Sequence, residues 1–250
     1  MYWDLAAILL GPVAGSFLGL VSLRLPAERP IVVGRSACQA CGRTLGPLDL
    51  VPILSFLLLR GRCRTCGAAI PRRYIAIELA CMALGVWSAA AFEGPLALIS
   101  ALLAWWLLLI AVVDAEHQWL PDRLTLPLGA VGLILSAVLA QLYPGFSPMH
   151  QAIGAAAGFL SLWLVAFLYR RLRGREGLGG GDPRLFGAIG AWVGWMGLPS
   201  VLVWAGIAGL SVVLATGVLR RSVSGDQRLP FGTFLAVGAW LVWVFGPIGV

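Results

Sequence analysis

The stretch Pro95-Leu96-Ala97-Leu98-Ile99-Ser100-Ala101-Leu102-Leu103-Ala104-Trp105-Trp106-Leu107-Leu108-Leu109-Ile110-Ala111-Val112-Val113 carries no charge until it meets Asp114. About 20 apolar residues in a helix cross the roughly 30 Å hydrocarbon core of a bilayer, so this run reads as a membrane span. Runs of the same kind recur at 4–23, 74–92, 124–143, 150–169, 183–197, 199–219 and 230–248. The expected fold is therefore an all-α polytopic membrane protein of about eight transmembrane helices. Composition agrees: 60% of the 250 residues are hydrophobic and 12% charged, which excludes an ordinary soluble domain. Met1 to Leu23 lacks a basic n-region, so it reads as a retained first helix and not as a cleaved signal peptide.

The 18 basic residues are all arginine, and their placement sets the expected topology. Nine lie between Arg24 and Arg73, one is Arg123, five run from Arg170 to Arg184, and three from Arg220 to Arg228. The connections at Glu93 to Pro95, Pro144 to Pro148 and Gly197 to Pro199 hold none. Basic loops stay in the cytoplasm, so the alternation puts both termini outside and the arginine loops inside. The expected surrounding partner is the lipid bilayer and not nucleic acid. Gly11, Gly15 and Gly19 recur at four-residue spacing on the first helix, the pattern that lets two membrane helices pack closely.

Residues 24–73 form the one sizeable segment outside the apolar runs. They contain Cys38-Gln39-Ala40-Cys41-Gly42 and Cys63-Arg64-Thr65-Cys66-Gly67. Two such pairs can supply four thiolates to one tetrahedral zinc ion. Two disulfides are the alternative, disfavoured because arginine placement puts this loop in a reducing compartment. With all four positions filled by sulfur, zinc here is structural. Between the pairs, Leu45 to Leu59 is apolar and is expected to lie against the bilayer surface or the helices. Cys81, inside the second apolar run, reads as packing. The expected organisation is 1–23 as first helix, 24–73 as a cytoplasmic tetracysteine domain, and 74–250 as the membrane-embedded remainder.

Two aspartates stand at the edges of apolar runs. Asp114 directly follows Val113, where an ionisable group is costly unless it is used. Asp182 closes Gly177-Leu178-Gly179-Gly180-Gly181 and precedes Pro183, a sequence that starts a helix. One helix enters the cytoplasm at Asp114 and another leaves it at Asp182, so both carboxylates are expected at one depth on one face. Such a pair can share a proton, one member activating water and the other acting as acid. Among their neighbours, Glu116 and His117 read as solvated loop residues, Asp122 as a helix cap, and Trp119 as an interfacial anchor. No serine elbow, His-Glu-x-x-His pair or phosphate-binding loop is present. Hydrolysis of a peptide bond near the membrane surface is the leading chemistry.

In combination and in order, these residues resemble the bacterial type IV prepilin peptidases, membrane aspartic proteases that carry a Gly-x-Gly-Asp motif. The likeness rests on Gly15-Ser16-Phe17-Leu18 with Arg24-Leu25-Pro26, and on the two Cys-x-x-Cys pairs. It continues through Asp49-Leu50-Val51-Pro52, Arg60-Gly61-Arg62-Cys63, Arg73-Tyr74 with Glu78, Asp114 with Pro121-Asp122, and Gly179-x-Gly181-Asp182. The resemblance implies catalytic roles for Asp114 and Asp182, with Gly179, Gly181, Arg184, Glu116, Asp122, Arg73 and Glu78 as supporting or substrate-binding residues. It also implies cleavage of the basic leader of type IV prepilins or type II secretion pseudopilins on the cytoplasmic face. N-methylation of the new N-terminus with S-adenosylmethionine would follow. Three positions depart from the family's usual pattern: Gly19 stands for asparagine, Glu116 for aspartate, and Pro183-Arg184 for an apolar residue and lysine. Glu116 and Arg184 keep charge sign; Gly19 weakens the methyltransferase reading, which leaves a peptidase alone as the alternative. A proton-coupled transporter is the more distant rival, but its aspartates belong near the midplane. A zinc-bearing scaffold would leave Asp114 and the glycine run idle.

Overall fold

The computed structural model describes residues 2–142, 147–175, 177–220 and 229–249, and these are helical almost throughout. The elements are α1 (Tyr2–Arg24), a 3-10 turn (Pro47–Leu50), α2 (Leu54–Leu58), α3 (Arg72–Ala91), α4 (Pro95–His117), α5 (Asp122–Leu139), α6 (Pro148–Arg173), α7 (Asp182–Arg220) and α8 (Phe231–Phe245). Six of them, α1 and α3 to α7, are long and apolar enough to cross a membrane, and α8 is a shorter apolar helix. The expected all-helical membrane fold is what the chain adopts.

One boundary falls elsewhere than the sequence suggests. The sixth and seventh expected spans are the two halves of α7, and the break between them lies at Gly194 (φ 70°, ψ 175°), not at Gly197 to Pro199. A left-handed φ suits glycine because it has no Cβ to clash. Pro199 lies inside the helix soon after that break, near the first turn of the second half, where a missing N–H is tolerated best. The expected Pro144 to Pro148 connection lies partly outside the described residues, and Arg221 and Arg228 lie wholly outside them.

The chain divides into two units, residues 1–109 and 110–250. In the first, α1 packs on α3 through the glycines. A Cβ on Gly15 would fall 2.5 Å from the Glu78 Cα, and one on Gly85 would fall 2.2 Å from the Ala7 carbonyl oxygen. The small residues therefore serve close packing. Trp105 Nε1 donates to the carbonyl of Cys81 (2.8 Å), tying the first part of α4 to α3. Cys81 itself is buried among helices, as a packing residue should be.

In the second unit, α7 packs against α5, α6 and α8. Leu185, Phe186 and Ile189, all on its first two turns, are fully buried. A Cβ on Gly190 would stand 2.1 Å from the Gly154 carbonyl oxygen, so α6 and α7 touch backbone to backbone. Trp192 Nε1 donates to the Leu128 carbonyl (2.9 Å) and ties α7 to α5. The helix that opens at Asp182 is thus clamped on several sides within its first three turns.

Candidate active site and metal centre

Asp114 lies in the last turn of α4 and Asp182 is the first residue of α7. Both are buried, at 5% and 6% exposure, which is unusual for carboxylates at helix ends. They are close enough to interact electrostatically. Each is held by backbone donors. The Gly179 N–H donates to the Asp182 carboxylate, so the glycine run wraps the side chain it precedes. A Cβ on Gly179 would sit 3.0 Å from Asp182 Oδ2, and one on Gly181 would sit 2.5 Å from the Leu120 Cβ. Gly179 and Gly181 pass the carboxylate and Leu120 too closely for side chains, whereas a Cβ on Gly180 would meet nothing within 4 Å.

Asp114 is held by a segment the sequence did not single out. The Thr233 N–H donates to Asp114 Oδ2 at 2.7 Å, and the Thr233 hydroxyl lies 3.2 Å from the same oxygen. That hydroxyl is also 3.0 Å from the carbonyl of Ala111, and its single proton serves one acceptor at a time. The Gly232 N–H points at the carboxylate as well. Because α8 begins at Phe231, Asp114 rests on the first turn of a helix, where N–H groups lack intrahelical partners. A Cβ on Gly232 would come within 2.7 Å of Leu120 Cδ1 and 3.0 Å of Asp114 Oδ2, so this position accepts no side chain without displacement. Leu120, Gly232 and Thr233 complete the site. The one sequence cue for the last two is Pro230-Phe231-Gly232-Thr233 at the head of the final apolar run.

The supporting residues separate into two groups. Arg184, in the first turn of α7, pairs with Asp122 at the start of α5, and both side chains are nearly half exposed. Glu116 and His117 stand 4.0 Å apart at the end of α4. These four lie near the carboxylates in sequence and in their own unit. Arg73 and Glu78 belong to the first unit, where they tie elements together. Arg73 donates to the Gly19 carbonyl (3.1 Å) and to Ser22 Oγ (2.7 Å), joining α3 to α1. Glu78 is buried and accepts the Ile53 N–H at 2.7 Å and the Ser16 hydroxyl. Gly19, in place of the family's asparagine, packs against the Tyr74 ring.

Cys38, Cys41, Cys63 and Cys66 converge, with all four Sγ atoms within 4.8 Å of one another. The Cys38 and Cys66 sulfurs are 3.8 Å apart. A tetrahedron with Zn–S bonds of about 2.3 Å has edges of about 3.8 Å, whereas a disulfide needs about 2.05 Å. The two halves are built alike. Gly42 (φ 71°) and Gly67 (φ 70°) turn the chain, each N–H returning to the carbonyl of the first cysteine at 2.9 Å. Backbone N–H groups of Cys41 and Ala40 lower the pKa of the Cys38 thiol, and those of Cys66 and Thr65 bring the Cys63 thiol down to about 6. Thiolates held in this way are the form that binds metal. Arg43 bridges the halves, reaching Thr65 Oγ1 (2.7 Å) and Asp49 Oδ2 (2.8 Å), while Arg64 Nε lies 3.2 Å from Asp49 Oδ1. The donor set and its spacing fit zinc.

Residues 9–92 match the bacterial peptidase A24 N-terminal domain, and residues 101–214 match the type IV leader peptidase family. Three similar proteins carry the name prepilin leader peptidase/N-methyltransferase. The one from Dichelobacter nodosus is 42% identical over 226 residues, covering 89% of this chain and 75% of the relative. That from Dickeya chrysanthemi is 38% identical over 99% of this chain and 94% of its own. That from Pseudomonas aeruginosa is 35% identical over 97% and 90%. No solved structure matches the chain.

Proposed function

The chain belongs to the type IV leader peptidase family, and on that premise we propose that Asp114 and Asp182 are the acid–base pair of a membrane aspartic endopeptidase. Its substrates are type IV prepilins or type II secretion pseudopilins, cleaved after the basic leader at the cytoplasmic face of the inner membrane. The observation that carries the reading is the pair of buried carboxylates, each at a helix end, Asp114 held by the N–H groups of Gly232 and Thr233 and Asp182 by that of Gly179. A transporter is disfavoured by the same observation, because neither carboxylate lies mid-helix.

The chemistry follows from shared protonation. One carboxylate, ionised, takes a proton from water as the oxygen attacks the scissile carbonyl. The other, protonated, donates to the carbonyl oxygen, and a proton then passes to the leaving amine. Burial strengthens these transfers by keeping bulk water away. Thr233 holds Oδ2 of Asp114 through its N–H and hydroxyl, the Gly232 N–H supports the same carboxylate, and the Gly179 N–H supports that of Asp182.

The names of the relatives join an N-methyltransferase to the peptidase, and we assign both activities to this chain. When bound, S-adenosylmethionine would supply the electrophilic methyl group for the amine that cleavage frees. Cys38, Cys41, Cys63 and Cys66 would hold a structural zinc ion, which would substitute for the apolar core that residues 24–73 lack and, with four sulfur ligands, would leave no position for a reacting water. The test is incubation of the purified protein, in a bilayer, with a prepilin peptide and an isotope-labelled methyl donor, read by mass. Expected products are the free leader and a mature peptide carrying one labelled methyl. An uncut peptide would remove the peptidase reading, and a cut but unmethylated one would leave the peptidase alone.

A further inference from the structure

The leucines of α2 face solvent in an otherwise charged segment. Leu54, Leu57 and Leu58 occupy one face at i, i+3 and i+4, and Leu58 is 82% exposed. Leu48, Leu50 and Val51 extend the exposed apolar surface. A water-soluble loop domain rarely shows such a contiguous patch without a partner.

Two bonds fix the depth of this patch. Ile53, at the head of α2, donates its N–H to Glu78 at 2.7 Å. Glu78 lies six residues inside α3, which starts at Arg72, and at 1.5 Å per residue that is about 9 Å along the axis. Its side chain leans toward the helix N-terminus, which places the carboxylate about 4–9 Å within the span. The same carboxylate accepts the hydroxyl of Ser16, eight residues before the basic end of α1 at Arg24. Two spans therefore agree that Ile53 lies inside the level of their arginine-marked ends. The anchoring is strong enough to hold a β-branched residue at φ 62°, where isoleucine is strained.

We propose that α2 is an interfacial anchor, with Leu54, Leu57 and Leu58 among the acyl chains of the same leaflet that receives the ends of α1 and α3. Its depth matches the 5–10 Å at which amphipathic helices lie in a bilayer surface. Charge selects the lipid. Arg60 and Arg62 stand exposed directly after α2, and residues 24–73 carry nine arginines against only Glu28 and Asp49. Such a surface engages anionic headgroups and disfavours a basic peptide. The zinc module is then pressed onto the membrane by its own linker between the cysteine pairs.

The test is the full chain with a benzophenone amino acid at position 58, reconstituted in phosphatidylethanolamine vesicles with and without phosphatidylglycerol. Zinc content equal to wild type verifies that the domain is intact. After illumination, the chain is expected to carry lipid adducts. Their yield should rise at least twofold with phosphatidylglycerol, a gain that Arg60→Gln with Arg62→Gln abolishes. Crosslinks to another protein segment or a second copy, or the absence of lipid adducts, would overturn the anchor. A yield indifferent to headgroup charge would overturn the anionic-lipid recognition.

Discussion

The cysteine cluster and the aspartate pair solve the same problem, the holding of charged groups in fixed geometry, by opposite means. The four cysteines lie in two short turns at the surface, where neighbouring N–H groups and one bridging arginine set their positions. The two carboxylates are buried, and three separate stretches of the second unit converge on them. A metal centre there would need little around it, because the ion itself would supply the binding energy. The acid pair needs long helices, because without a metal its geometry is only as good as the packing behind it. Changes to local turns should therefore affect the zinc domain, and changes to helix packing should affect cleavage.

Gly232→Ala should separate the two regions most sharply. The added methyl meets Leu120 and Asp114 Oδ2, and a misplacement of about 1 Å costs about 100-fold in rate. Cleavage of a prepilin peptide should fall by about that factor while bound zinc stays at one per chain. Unchanged cleavage would mean that α8 does not support the site.

Thr233→Val keeps the backbone N–H and removes only the hydroxyl. A lost hydrogen bond to a charged group costs about 1.5–3 kcal/mol, and this one is shared with the Ala111 carbonyl. A drop in kcat of about tenfold is expected, with KM steady and with Thr233→Ser restoring the rate. A rise in KM alone would make Thr233 a substrate contact.

Cys63→Ser gives the reverse pattern. Metal analysis should show zinc lost, and proteolysis should open residues 24–73, while cleavage falls by no more than about tenfold because no step passes through the metal. Complete loss of cleavage in an otherwise folded chain would tie the domain directly to catalysis.

The smallest effect belongs to Arg184→Gln. Its pairing with Asp122 is half exposed, and such pairs contribute about 0.2–1 kcal/mol. Cleavage should change less than about fivefold. A larger loss would place Arg184 on the substrate.

The same contrast explains what was legible in the sequence. The spans are visible because each is one uninterrupted run, and the cysteine knuckles because each fits in five residues. Asp114 and Asp182 are visible because apolar surroundings make a charge conspicuous. The Thr233 donor is not, because it lies 119 residues from the carboxylate it holds, and only the folding of α8 brings them together. The break in α7 was hidden for another reason. With 32 glycines in the chain, Gly194 carries no special mark, and the proline at 199 is the louder signal although the helix continues through it.

The central claim is that Asp114 and Asp182 act as one unit, and the most direct test is cleavage by Asp114→Asn, Asp182→Asn and the double variant, each checked for wild-type zinc content and thermal stability. Members of one catalytic unit are not additive: removing either costs about as much as removing both. Each single variant is expected to lose at least about 1,000-fold in kcat, and the double variant should be no slower than the singles. A folded single variant that still cleaves at a tenth of the wild-type rate would contradict the account, as would a double variant whose loss is the product of the two single losses.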